Sequence, residues 1–235
     1  MKNMKRIMLT AVAMLLLVVM SVGGTLAWMT SQTEPVVNTF TVGSVEIDLD
    51  EAALKAFDET KNEYAEDPDQ PRVKSNEYQL MPGIKMAKDP TVTVIKGSED
   101  CYVRAFVTVT YRAAADGFIP ANFFTAWVKG FDATVWVPYN AGETVTKFQK
   151  NIGTEEKPEM IDMISRTYEL RYFEEVAQNK EQNTVLTDIF TSIELPGSLT
   201  NAQIASMDDL QISVIANAIQ ADGSATAADA WAKWN

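Results

Sequence analysis

Residues 101–112 read CYVRAFVTVTYR. Cys101, Val103, Ala105, Val107 and Val109 share one parity, and Tyr102, Arg104, Phe106, Thr108, Thr110 and Arg112 share the other. Side chains of a strand alternate between its faces, so this pattern predicts a strand with one buried face and one mixed, half-covered face. The run just before it, TVTVI at 91–95, alternates in the same way through Val92 and Val94. Gly97-Ser98-Glu99-Asp100 lies between them, and this spacing predicts antiparallel neighbours joined by a tight connection.

Outward from this pair, the same period recurs. Val45, Ile47 and Leu49 alternate with Glu46, Asp48 and Asp50. Strands are expected over 131–139 around Val135-Trp136-Val137, and over 144–148 after a turn at Asn140-Ala141-Gly142. Another is expected over 166–176, with Tyr168, Leu170 and Tyr172 on one face, and a last one over 210–219, with Leu210, Ile212, Val214, Ala216 and Ala218 inward. Met81-Pro82-Gly83, Asp116-Gly117, Pro196-Gly197 and Asp222-Gly223 punctuate the chain as turns. Short helical pieces are expected at 52–57, at 119–129 behind Pro120, at 200–206 capped by Thr200 or Asn201, and in the Ala-rich 225–234. The segment 184–195 places Leu186, Ile189, Phe190 and Ile193 at helical spacing, while its β-branched content favours a strand or a mixture. Many short strands between turn signals predict an all-β fold, an antiparallel β-sandwich with a few short helices. No repeat or second domain is evident.

The N-terminus is built differently. Lys2, Lys5 and Arg6 precede an apolar run from Ile7 to Val22, and Gly23-Gly24-Thr25-Leu26-Ala27 follows. That is the layout of a secretory signal peptide over 1–27, cleaved between Ala27 and Trp28. The competing reading is a retained anchor, but the run falls short of the ~20 residues a span needs. The mature chain would be a single domain over 28–235, secreted to the cell surface or matrix. Beyond the cut, Phe40 and Val42 alternate with Thr39 and Thr41, and the apolar parity then switches at Gly43-Ser44. A bulge or bend at Gly43 reconciles the two halves.

Three stretches carry a resemblance: GGTLAWMTSQTEPVVNTFTVGSVEIDLDE at 23–51, LMPGIKMAKDPTVTVIKGSEDCYVR at 80–104, and ISVIANAIQADG at 212–223. Together they resemble the TasA/camelysin proteins of Gram-positive bacteria. The resemblance implies export through a dedicated SipW-type signal peptidase, a jelly-roll form of the sandwich, and assembly into biofilm-matrix or surface fibres. Some members of that family carry a protease name.

The residue inventory speaks against the protease. The chain has no histidine, which excludes a Ser-His-Asp triad, a Cys-His pair and an HExxH zinc helix. P-loop, Gly-x-Ser-x-Gly and Gly-x-Gly-x-x-Gly motifs are missing too. Paired carboxylates suffice for a glycosidase, but their abundance here carries no specificity. The expectation is no enzyme, no cofactor and no metal. Asp48, Asp50 and Glu51 suggest calcium, but Ala52 breaks the EF-hand spacing, and the acidic stretch 46–69 reads instead as a solvated face. The net charge is −12, and becomes −15 when Lys2, Lys5 and Arg6 leave with the signal (−12 − 3). Such a chain repels nucleic acid and anionic membranes. Cys101 is the single cysteine. It reads as a small buried hydrophobe, with an intermolecular disulfide or reactive thiol as the alternative. Trp28, Trp127, Trp136, Trp231 and Trp234 read as core side chains before a carbohydrate site.

The expected function is structural. The segment 28–42 serves as a mobile donor strand, with Trp28, Phe40 and Val42 as apolar anchors and Gly43 as the hinge. It adds to a sheet edge of the next copy, giving a homopolymer. Other matrix proteins or the cell wall are further expected partners. The alternatives are a monomeric surface module binding a glycan or host protein, and a secreted hydrolase.

Overall fold

A computed structural model describes residues 44–234, the side chains of 140–142 apart. The strands are β1 (Ile47–Asp50), β2 (Glu63–Tyr64), β3 (Lys85–Ala87), β4 (Thr91–Val94), β5 (Cys101–Arg112), β6 (Val128–Lys129), β7 (Trp136–Asn151), β8 (Met160–Tyr172), β9 (Thr184–Val185), β10 (Ser192–Glu194) and β11 (Gln211–Gln220). The helices are single turns or little more: α1 (Phe123–Ala126), α2 (Asn201–Ser206) and α3 (Ala227–Ala232). The fold is all-β. The strands form three sheets, ordered β1-β4-β9, β2-β3-β10-β6 and β11-β5-β8-β7. All pairs are antiparallel except β2 with β3. None of the described helices is long and apolar enough to cross a membrane.

β5 is the centre of the largest sheet. Its odd-numbered residues from Cys101 to Tyr111 are at most 1% exposed, and its even-numbered residues are half-buried. It pairs with β11 from Cys101 to Thr110 and with β8 from Arg104 to Arg112. Its buried face joins Val92 and Val94 of β4, Met86 of β3 and Ile193 of β10 in one core. Each such side chain contributes roughly 1.5–3 kcal/mol when fully buried, so one core holds all three sheets together. Cys101 lies in it, and burial pushes its thiol up to about 11. Trp127, Trp136 and Trp231 are buried as well, while Trp234 is exposed. Trp231 docks α3 on the other face of the sheet, 4.2 Å from the Arg104 guanidinium.

Several local expectations are corrected. β4 and β5 are not neighbours: β4 pairs with β1 and β9, and β5 with β11 and β8. The connection between them is held elsewhere. Gly97, at φ 86, donates its N–H to Asn179 O, and the Ser98 hydroxyl both accepts from Glu46 N and donates to Glu46 O. It therefore carries the chain from one sheet to another. Asn140-Ala141-Gly142 is not a hairpin turn. β7 runs through it, and a register shift between Pro138 and Glu143 absorbs the extra residues as a bulge, because β8 pairs on both sides. β8 begins at Met160 and stops at Tyr172, earlier at both ends than the apolar pattern suggested.

Residues 52–57 are not helical; bridges Glu51↔Val73, Leu54↔Glu66 and Asp58↔Glu63 fold the acidic stretch back on itself. The helix expected over 119–129 is the single turn α1 followed by β6. Segment 184–195 resolves into β9 and β10, with Leu186, Ile189 and Phe190 buried between them. Thr200 caps α2 through a full capping box with Gln203.

Surface carboxylates tie the sheet ends. Asp116 accepts from Arg166 Nη2 and the Tyr111 hydroxyl, each at 2.8 Å. The Arg166 bond, then the Tyr111 bond, holds the Asp116 carboxyl below its ordinary 3.8. Asp209 is held down by Lys150 and then Arg112, and Asp48 by Lys74. A depressed carboxylate contributes stability that is present above its unfolded pKa and lost as pH falls through the folded value. Glu66 has the opposite sign: burial, then Asp89 and Asp188, raise its carboxyl, so it gains stability on acidification. The lowered groups outnumber it. Circular-dichroism melts should therefore give a near-constant melting temperature from about pH 7 to about pH 5, then a steady fall below about pH 4. A melting temperature that rises on acidification overturns this assignment.

Candidate assembly groove

A groove of about 940 Å3 opens between β1 and β11. Both are edge strands, β1 of the three-stranded sheet and β11 of the largest one. Its floor is Met86 of β3 and Ile193 of β10, both buried. Leu49 of β1 and Leu80 form one wall. Leu210, Ile212 and Val214, with Ile204 of α2, form the other. The alternation that turns Ile212 and Val214 inward is legible in the sequence. Yet these side chains are only half-buried, whereas their β5 neighbours Val109 and Val107 are fully buried. The sheet thus presents an apolar wall that the described residues leave partly uncovered.

The backbone of that wall is also open. Among the described residues, Gln211–Gln220 pairs with β5 alone. The free edge of β1 is closed over its second half: Glu51 and Val73 exchange N–H···O bonds of 2.9 and 2.7 Å, Leu49 O accepts from Lys74 Nζ at 2.9 Å, and Leu49 N–H donates to Asp48 Oδ1 at 2.9 Å. Unpaired edge groups beside apolar side chains are what an added strand satisfies.

The polar end of the groove is built from ion pairs. Glu51 is buried and accepts from Lys88 Nζ and from Asn76 Nδ2, the latter at 3.0 Å. The Tyr78 hydroxyl donates to Ala87 O at 2.6 Å, and burial, then Glu51 and Asp89, keep it protonated by raising its pKa well above the ordinary phenol range. Behind them, Arg72 clamps the end of β1 to the start of β4. Its Nε reaches Asp50 Oδ1 at 2.5 Å, its Nη1 reaches Asp89 Oδ2 at 2.7 Å, and its Nη2 reaches Thr91 Oγ1 at 2.7 Å. Lys74 pairs with Asp48.

Glu59, Glu66 and Asp69 are exposed, as expected of a solvated acidic face, but the face is corrected at its start. Asp48, Asp50 and Glu51 each face a different cation of this chain, because 72–74 and Lys88 fold against β1. The three carboxylates do not converge, and among the described residues no group of three or more potential metal ligands does so. Chemically, the groove offers an apolar slot, open backbone groups and a neutralised rim. Those features suit an extended peptide.

The expected cleavage residues Ala27 and Trp28, and the expected assembly residues Trp28, Phe40, Val42 and Gly43, lie outside the described residues. The sequence reading missed the groove itself, because Leu49, Ile193, Ile204 and Ile212 come from four separate elements whose packing no local pattern states. No protein-family description, curated protein or solved structure matches this chain.

Proposed function

We propose that this chain is a secreted structural protein whose copies join head to tail, each placing its N-terminal segment in the β1/β11 groove of the next. The observation that carries this reading is the groove: the open edge of β11 beside a half-covered apolar wall. On this reading, the sheets belong to a jelly-roll sandwich of the TasA/camelysin kind. A SipW-type peptidase removes 1–27, and the chain beginning at Trp28 is freed to donate. Phe40 and Val42 meet Ile212 and Val214, and each adds roughly 1.5–3 kcal/mol of burial. The contact joins two different surfaces, and such a head-to-tail contact grows a filament when its rotation does not close into a ring. The absence of histidine and of catalytic motifs agrees with a structural role.

The test compares three chains by negative-stain electron microscopy and circular dichroism: the chain starting at Trp28, one starting at Gly43, and Phe40→Asp. The first should form filaments. The other two should keep the β spectrum and stay monomeric. Unfolding of both variants, or filaments from either, overturns the donor-strand reading.

A further inference from the structure

β7 forms the other edge of the largest sheet, opposite β11. It is 16 residues long. Its last three residues run past β5: β5 pairing ends at Met163, which is opposite Phe148, whereas β7 and β8 continue to pair as far as Asn151 and Met160. Among the described residues, 143–151 bonds its backbone to β8 alone. Side chains on both faces of this edge segment are exposed, with Val145 47% and Phe148 41% exposed and Thr144, Thr146 and Lys147 exposed beside them. A long, open edge rich in threonine and valine is a template for another strand. The usual protections do not remove it here. The bulge ends before Glu143, and the lysines choose a register rather than forbid one.

The row on one face reads Glu143, Val145, Lys147; the Glu143 carboxylate, 23% exposed, accepts from Arg166 Nη1 at 3.0 Å and from the Tyr168 hydroxyl at 2.9 Å in its own subunit, while Lys147 is exposed. Laid antiparallel on itself with Val145 opposite Val145, the row sets Glu143 opposite Lys147 at both ends and Thr144 opposite Thr146. Centring on Glu143 or on Lys147 sets like charges opposite each other, which is unfavourable. Centring on a threonine leaves each charge facing valine or an uncharged residue. Of these registers, the Val145-centred one alone brings Lys147 opposite a carboxylate, and it does so by two-fold symmetry, the usual geometry of a contact between identical chains.

We infer that the outer edge of β7 pairs with β7 of a second copy, antiparallel about a two-fold axis at Val145. Because β7 and β11 are opposite edges of one sheet, this contact and the groove contact do not compete. The pairing itself stands apart from the filament reading; its role in joining filaments side by side rests on that reading. Each contact is short and therefore weak, and regular repetition along a filament makes it multivalent.

Single-cysteine trapping tests it on the mature chain in solution, since native Cys101 is fully buried. Opposed residues of an antiparallel pair have Cβ atoms about 4.5–5.5 Å apart, close to disulfide range. Lys147 lies four residues from its own symmetry mate, roughly 14 Å along the strands. Under mild oxidation, Val145→Cys should give a disulfide dimer and Lys147→Cys should stay monomeric, both thiols reacting fully with a soluble thiol reagent. Adding Lys147→Glu to Val145→Cys should lower the dimer yield to the Lys147→Cys background in low salt, with partial recovery in high salt. Equal cross-linking from both positions, or no dimer from an accessible Val145→Cys thiol, overturns the inference. Because soluble subunits are trapped whether or not filaments grow, this outcome is independent of the Gly43 truncation result.

Discussion

The Trp136→Ala chain should unfold about 3–5 kcal/mol more easily than the parent. Trp136 opens β7 and is fully buried. Its ring meets Tyr172 of β8 edge-on, with centroids 5.2 Å apart. Its Nε1 donates to Thr187 O at 2.8 Å. That bond fixes the segment between β9 and β10, whose Leu186, Ile189 and Phe190 are all in the core. One side chain therefore ties the largest sheet to the link between the other two. Alanine leaves a cavity and strands the Thr187 carbonyl. Trp136→Phe keeps most of the packing and loses the donor, so it should cost about 1–3 kcal/mol. Urea denaturation reads both values. A Trp136→Ala loss no larger than that of Trp136→Phe would show that the indole ring is not what joins the sheets.

The second large effect lies at the groove. Lys88→Met should cost about 3–5 kcal/mol, because removing one partner of a buried ion pair leaves the other charge uncompensated. The Lys88 and Glu51 side chains are 12% and 5% exposed. Without Lys88, the Glu51 carboxylate keeps only the Asn76 amide within hydrogen-bond reach. The charge, rather than the lysine stem, is the source of the loss. Glu51→Gln added to Lys88→Met should therefore recover most of it, since a neutral amide still bonds Asn76. Replacing a whole buried pair by neutral groups is often close to neutral in energy. If the double variant is as unstable as Lys88→Met alone, the loss comes from packing of the lysine stem. The same pair lies on the rim of the proposed acceptor slot. A partly opened rim should also weaken assembly of Lys88→Met under conditions where it remains folded.

The sequence by itself determined what depends on local period. The two faces of β5, the inward face of β11, the alternation of β1 at Ile47 and Leu49, the Thr200 cap and the burial of Cys101 all follow from residues within a few positions of one another. Side-chain direction in a strand alternates with each residue, and a cap reaches only three positions ahead, so short windows contain the whole cause. Tertiary structure alone decided which strands share a sheet. The run from β4 to β5 has the look of a hairpin, but Ser98 and Gly97 are tied to Glu46 and Asn179, partners tens of residues away. The bulge at 139–142 depended on β8 holding its register on both sides, which nothing within Asn140-Ala141-Gly142 states. The start of the acidic stretch, Asp48 to Glu51, looked unpaired because its cations, Arg72, Lys74 and Lys88, arrive from later in the chain. The groove is the extreme case. Ile212 was legible as inward-facing, but whether an inward side chain is covered depends on how β1, α2 and β10 pack around it. Burial sums contacts over the whole fold, whereas periodicity records only the direction in which a side chain leaves its own backbone.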